Sequence, residues 1–135
     1  MADEYSGTAR ATSGQTLTIG ALSFRLHGVS APPLGTDCVR AGRHFDCGVV
    51  AQSQLSDFTL GAVVRCLTLA SVKAEDPPFA RCAANEYDLS NGMIYTGWAR
   101  ADAKQSSAYN DTEQKARIAG RGMWSSDIVV PAGWR

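Results

Sequence analysis

Two runs of alternating residues set the first limit on the fold. Thr16-Leu17-Thr18-Ile19 and Leu22-Ser23-Phe24-Arg25-Leu26-His27 place polar and apolar side chains in turn, which is the period-two pattern of strands with one buried face. Gly20-Ala21 between them suits a tight hairpin, and Gly14 marks an earlier turn. Residues 8–29 therefore read as a meander of three short strands. Ser30-Ala31-Pro32-Pro33-Leu34-Gly35 must be a loop, because two prolines remove two backbone donors and exclude a helix interior or a central strand.

Beyond that loop the pattern changes. Residues 36–46 are polar and irregular. Val49, Val50, Ala51, Leu55 and Phe58 fit a short amphipathic helix ending near Gly61. Residues 62–69 are β-rich, Asp76-Pro77-Pro78 interrupts them, and residues 79–84 supply a fifth strand. Asp88 is a candidate N-cap for a helix over 89–99, with Leu89, Met93, Ile94 and Trp98 at helical spacing. A second helix is expected from about Ser106 to Ala119, stopping at Gly120 and Gly122. The expected fold class is α+β, mainly β: a five-stranded OB-type barrel with one helix after strand 3 and two C-terminal helices. The expected boundaries are a flexible N-terminus over 1–6, one domain over 7–126 and an extended tail over 127–135.

Composition narrows the function classes. The 135 residues are 44% hydrophobic and 19% charged, enough apolar content for one folded domain. Thirteen Lys+Arg balance thirteen Asp+Glu, which argues against coating nucleic acid or acidic lipid by bulk charge. No run approaches the length of a transmembrane helix.

Cys38, Cys47, Cys66 and Cys82 include no C-x-x-C pair, and His27 and His44 lie at no zinc-finger spacing. Two disulfides are the reading preferred over four free thiols. Local pairing gives Cys38–Cys47 and Cys66–Cys82, although three connectivities are open from sequence. Disulfides imply an oxidising compartment, periplasmic or secreted. The opening Met1-Ala2-Asp3-Glu4-Tyr5 shows no signal peptide, so a mature form with its leader removed is expected, against a cytosolic protein with four thiols.

The element order and several short segments together resemble the staphylococcal nuclease-like (thermonuclease) family from about Gly7 to Trp124. The segments are Ser13-Gly14-Gln15-Thr16-Leu17, Phe24 through Pro32, Cys47-Gly48 with Ala51, Phe79-Ala80-Arg81 with Cys82, Met93 with Gly97-Trp98-Ala99, Tyr109 with Glu113 and Ala116, and Gly122-Met123-Trp124-Ser125. The four cysteines resemble those of exported bacterial branches. The resemblance implies a calcium-dependent phosphodiesterase. Such an enzyme uses carboxylates to hold the metal, a glutamate to activate water and two arginines to neutralise the phosphate.

Matched residue by residue, the acidic half of that machinery is missing. The family's Asp-Gly-Asp-Thr is Ser13-Gly14-Gln15-Thr16, and its Asp-(Thr/Ala)-Pro-Glu is Ser30-Ala31-Pro32-Pro33. Gln15 and Ser30 replace the metal carboxylates and Pro33 replaces the glutamate. Phe79 stands for a phosphate-contacting tyrosine. Arg25 and Arg81 match both catalytic arginines. Residues 8–33 contain no Asp or Glu at all, so a shifted alignment supplies none, while Asp37 or Asp76 would have to swing in to restore metal binding.

The expectation is therefore a catalytically degenerate, nuclease-like binding or interaction module with no cofactor. Its partner would be a phosphate-bearing or other anionic ligand at Arg25 and Arg81, with Phe79 and Lys73 as further contacts. The alternative is an active calcium-dependent nuclease with an altered site, for which nucleic acid is substrate. Each residue also has a plainer reading. Arg25 and Arg81 would be snorkelling strand arginines, and Arg40 and Arg43 a solvated loop. Trp98, Trp124 and Tyr109 would be core packing, and His27 a hydrogen-bonded surface group.

Overall fold

The computed structural model describes residues 3–69 and 77–135. It is a mixed α+β fold of mostly strands with three α-helices. The elements in chain order are β1 (Glu4–Gly7), β2 (Ala9–Ala11), β3 (Thr16–Ile19), β4 (Leu22–Leu26), β5 (Val29–Ser30), β6 (Asp37–Arg40), β7 (Arg43–Asp46), α1 (Cys47–Thr59), β8 (Val64–Thr68), β9 (Phe79–Ala84), β10 (Tyr87–Asp88), α2 (Leu89–Tyr95), β11 (Arg100–Ala101), α3 (Asn110–Ala119), a 3-10 turn (Gly122–Trp124) and β12 (Ile128–Val129).

The alternating runs become strands as expected. Leu17, Phe24 and Leu26 turn inward and are buried, while Arg25 lies on the other face. Ile19 pairs with Leu22 across Gly20-Ala21, and Gly20 adopts a positive φ of 60°, the conformation that a two-residue hairpin favours and glycine tolerates. The main sheet runs β1-β8-β9-β4-β3-β2, with β10 added beside β9. All its ladders are antiparallel except β4 with β9, which is parallel. The two ends of this path, β1 and β2, are consecutive segments of chain separated by Thr8. Within the expected flexible N-terminus of residues 1–6, Glu4 onward is paired, since Glu4↔Leu67 and Tyr5↔Cys66 register β1 on β8.

Residues 36–46 are not irregular. They form a hairpin in which Asp37 faces Asp46 and Arg40 faces Arg43. Ala41 and Gly42 both take positive φ in its turn. The polar sequence hid this hairpin, because its stability comes from outside the strands. A Cys38–Cys47 disulfide ties it to α1, and β12 pairs with its β6 edge. Asp46 also caps α1, accepting from the N–H groups of Gly48 and Val49.

The tail is correspondingly more than extended chain. Beyond the β12 ladder, Trp134 is buried with Cys38, Cys47, Met123 and Ile128 in a second small core. The second disulfide, Cys66–Cys82, joins directly paired residues of β8 and β9. Both expected pairings are present. No described helix is long and apolar enough to cross a membrane.

Both C-terminal helices are shorter than the periodicity suggests. The helix begun at Leu89 stops at Tyr95 because Gly97 turns left-handed at φ 79° and abuts the Arg121–Gly122 backbone. The second helix begins at Asn110, since the Ser106 hydroxyl accepts from the Ala108 N–H and closes a turn there instead.

Candidate functional site

The loop after β2 and the loop after β5 meet beside α1. Gly14 makes this approach close: a Cβ there would lie 2.6 Å from the Ala51 Cβ and 2.9 Å from the Ala31 Cβ. With the two loops held together, the Gln15 side-chain carbonyl accepts from the Ala31 backbone N–H at 2.7 Å. Gln15 is thus a structural strut between the segments that carry the matched metal positions.

Around this strut is a cavity of about 530 Å³. Ser13, Gln15, Thr16, Ser30, Ala31, Pro32, Pro33, Leu34, Arg100 and Trp134 line it. Gln15, Ser30 and Pro33 are therefore brought together. The donor set is hydroxyls, one committed amide, prolines and an arginine, with no carboxylate side chain. A hard dication prefers several anionic oxygens, and these residues do not fit one. Ser13 and Thr16 also hydrogen-bond each other through their hydroxyls at 2.6 Å. No group of three or more His, Cys, Asp or Glu that could hold a metal occurs among the described residues. Asp37 is turned elsewhere, to the Nδ1 of His44 at 3.0 Å on the exposed hairpin. Asp76 and Lys73 lie outside the described residues.

The matched arginines sit on neighbouring strands. Arg25 pairs with Phe79 in the parallel β4–β9 ladder, so residues 25, 27, 79 and 81 share one face by alternation. Arg25 donates from Nε and Nη2 to the Pro77 carbonyl at 3.3 and 3.1 Å and lies 4.8 Å from the Phe79 ring centroid. That geometry fixes its guanidinium over the ring. Arg81 is exposed and borders a second cavity of about 460 Å³ with His27, Tyr87, Asp88, Asn91, Ser106, Ala108 and Tyr109.

This second cavity was not legible in the sequence, where Tyr109 was assigned to the core and His27 to the surface. Tyr109 is buried, but its hydroxyl donates to Asp88 at 2.6 Å. Burial first, then the Asp88 carboxylate, push its pKa up to about 12. His27 is half-buried, and burial followed by the Arg81 charge lowers its pKa below the usual 6.5. Arg81 and a neutral His27 thus stand together at this cavity's edge.

Trp98 and Trp124 pack against the cores, as expected of structural aromatics. Arg40 and Arg43 remain on the exposed hairpin. No family model and no curated protein matches the chain.

Proposed function

We propose that the chain is a nuclease-like, OB-type module that binds an anionic ligand without cleaving nucleic acid. One observation carries the reading. The cavity that gathers Gln15, Ser30 and Pro33 offers no carboxylate side chain, and the Gln15 carbonyl is already committed to Ala31. Phosphodiester hydrolysis of the calcium-dependent kind needs a metal and a base at such a place. A site of hydroxyls beside Arg100 supplies neither.

The fold part of the proposal draws on the ladder order. Counting β1 and β2 as one bent strand, the path is strand 1, 4, 5, 3, 2 and back to 1, with 3 parallel to 5. That order is the expectation for an OB-type barrel. The binding part draws on Arg25 and Arg81, which share a face with Phe79 between them. A guanidinium pair suits phosphate, sulfate or carboxylate. Two disulfides favour an oxidising compartment, periplasmic or extracellular.

Isothermal titration with a 3′,5′-bisphosphonucleotide tests the binding role. Saturable binding that weakens in Arg25→Ala and in Arg81→Ala is expected. Absence of binding, or binding indifferent to both substitutions, removes the anion site from these arginines.

A further inference from the structure

A third recess, of about 490 Å³, is lined by Arg100, Lys104, Arg117 and Arg135, together with Trp124 and Trp134. It touches the carboxylate-free cavity, because Ser30, Arg100 and Trp134 line both. Residues far apart in sequence build it: β11 and the turn after it, one face of α3, the 3-10 turn and the tail. No local motif announces it, and it shares neither Arg25 nor Arg81.

Its three arginines are held by neutral partners. Arg100 donates from Nη1 to the Trp134 carbonyl at 2.7 Å. Arg135 donates from Nη2 to the carbonyls of Met123, Ser125 and Ile128 at 2.8, 2.8 and 3.1 Å. Arg117 lies 4.8 Å from the Trp124 ring centroid. Among the described residues, none of these three arginines is within ion-pair distance of a carboxylate. The two acidic residues of the recess are turned to other donors. Glu113 accepts from the Ala101 N–H at 2.8 Å, and Asp102 from the Lys104 N–H and the Gln105 amide.

Four cationic side chains thus border one concave space against two carboxylates. Gathering like charges costs free energy that an anion would relieve. Rings and carbonyls hold the guanidinium groups in place, so less order has to be created on binding. The indole N–H groups of Trp124 and Trp134, beside the recess, are also buried with no acceptor among the described residues.

We propose that this recess is an oxyanion-binding site. It takes the phosphate, sulfate or carboxylate head of a small ligand between Arg100, Lys104 and Arg117. The uncharged body of the ligand extends over Trp134 toward the hydroxyls of Ser13, Thr16 and Ser30. The volume lies within the ordinary range for a small-molecule site. The proposal does not rest on the nuclease-like reading.

The test is tryptophan fluorescence and isothermal titration with inorganic phosphate, citrate and glucose 6-phosphate as probes. Saturable binding of at least one probe is expected, weakening with added salt. Arg117→Ala and, independently, the exposed-loop reversal Lys104→Glu should each weaken it by about tenfold or more, while Arg43→Ala, on the exposed β6–β7 hairpin, leaves it unchanged. Tighter binding of glucose 6-phosphate than of phosphate supports the extended ligand, and preference for citrate assigns a carboxylate head. No saturable binding of any probe up to about 10 mM overturns the proposal. So does binding that neither Arg117→Ala nor Lys104→Glu weakens, which would place the anion elsewhere.

Discussion

Replacing Gln15 with alanine separates its role as a strut from any role as a ligand. The 2.7 Å bond to the Ala31 N–H is lost, and Ala31 is only 7% exposed, so water has limited access to the orphaned donor. A net hydrogen bond contributes about 0.5–1.5 kcal/mol, and leaving a buried donor unsatisfied costs about 1–3 kcal/mol. The expected destabilisation is therefore about 2 kcal/mol. For a chain of 135 residues, that corresponds to a fall in Tm of about 7 °C, from an unfolding entropy of about 2.1 cal/mol/K per residue. Gln15→Glu keeps an acceptor of the same reach and should retain most of the stability at neutral pH. Urea unfolding of the three proteins, with the slope held constant, reads the difference. If Gln15→Ala unfolds at the wild-type midpoint, the strut argument is wrong and the amide is free for other work.

Four further outcomes follow from the geometry. Reducing the disulfides should lower stability by about 3 kcal/mol for each loop of this size, the bridged residues being 9 and 16 apart in sequence, which melting with and without reductant would show. Gly97→Ala forces a Cβ to within 2.5 Å of the Arg121 carbonyl carbon at φ 79° and should cost more than about 3 kcal/mol, seen as loss of soluble, cooperatively folding protein. The proton on Tyr109 is held more tightly in the folded chain, so its contribution is full below pH 10 and is lost as pH rises toward about 12. Comparing the pH dependence of urea unfolding with that of Tyr109→Phe isolates it. His27 acts in the opposite direction: its pKa is lowered from 6.5, so stability is full above 6.5 and declines as pH falls below it. His27→Gln should flatten that decline in the same assay.

What the sequence made legible tracks how local the determining physics is. The β3–β4 hairpin, α1, the Asp88 cap of α2 and both disulfides follow from alternation, helical spacing, an Asp before an apolar stretch and pairing of nearby cysteines. The β6–β7 hairpin did not show, because its strands are polar and its support comes from α1 and β12. The premature end of α2 depends on the Arg121–Gly122 backbone, 24 residues further on from Gly97, which no helical period encodes. The site divides the same way. The absence of acid from residues 8–33 was readable directly, whereas the Gln15–Ala31 bond, the Tyr109–Asp88 contact and the recess of Arg100 and Arg117 exist only once distant segments meet.

The central claim is that the pocket of Gln15, Ser30 and Pro33 supports no calcium-dependent cleavage. It is tested most directly by incubating the purified, oxidised protein with denatured DNA and with RNA, with calcium or with a chelator, and measuring acid-soluble nucleotide. The account predicts no release above the protein-free blank in either condition. Release that requires calcium and stops on chelation would contradict it.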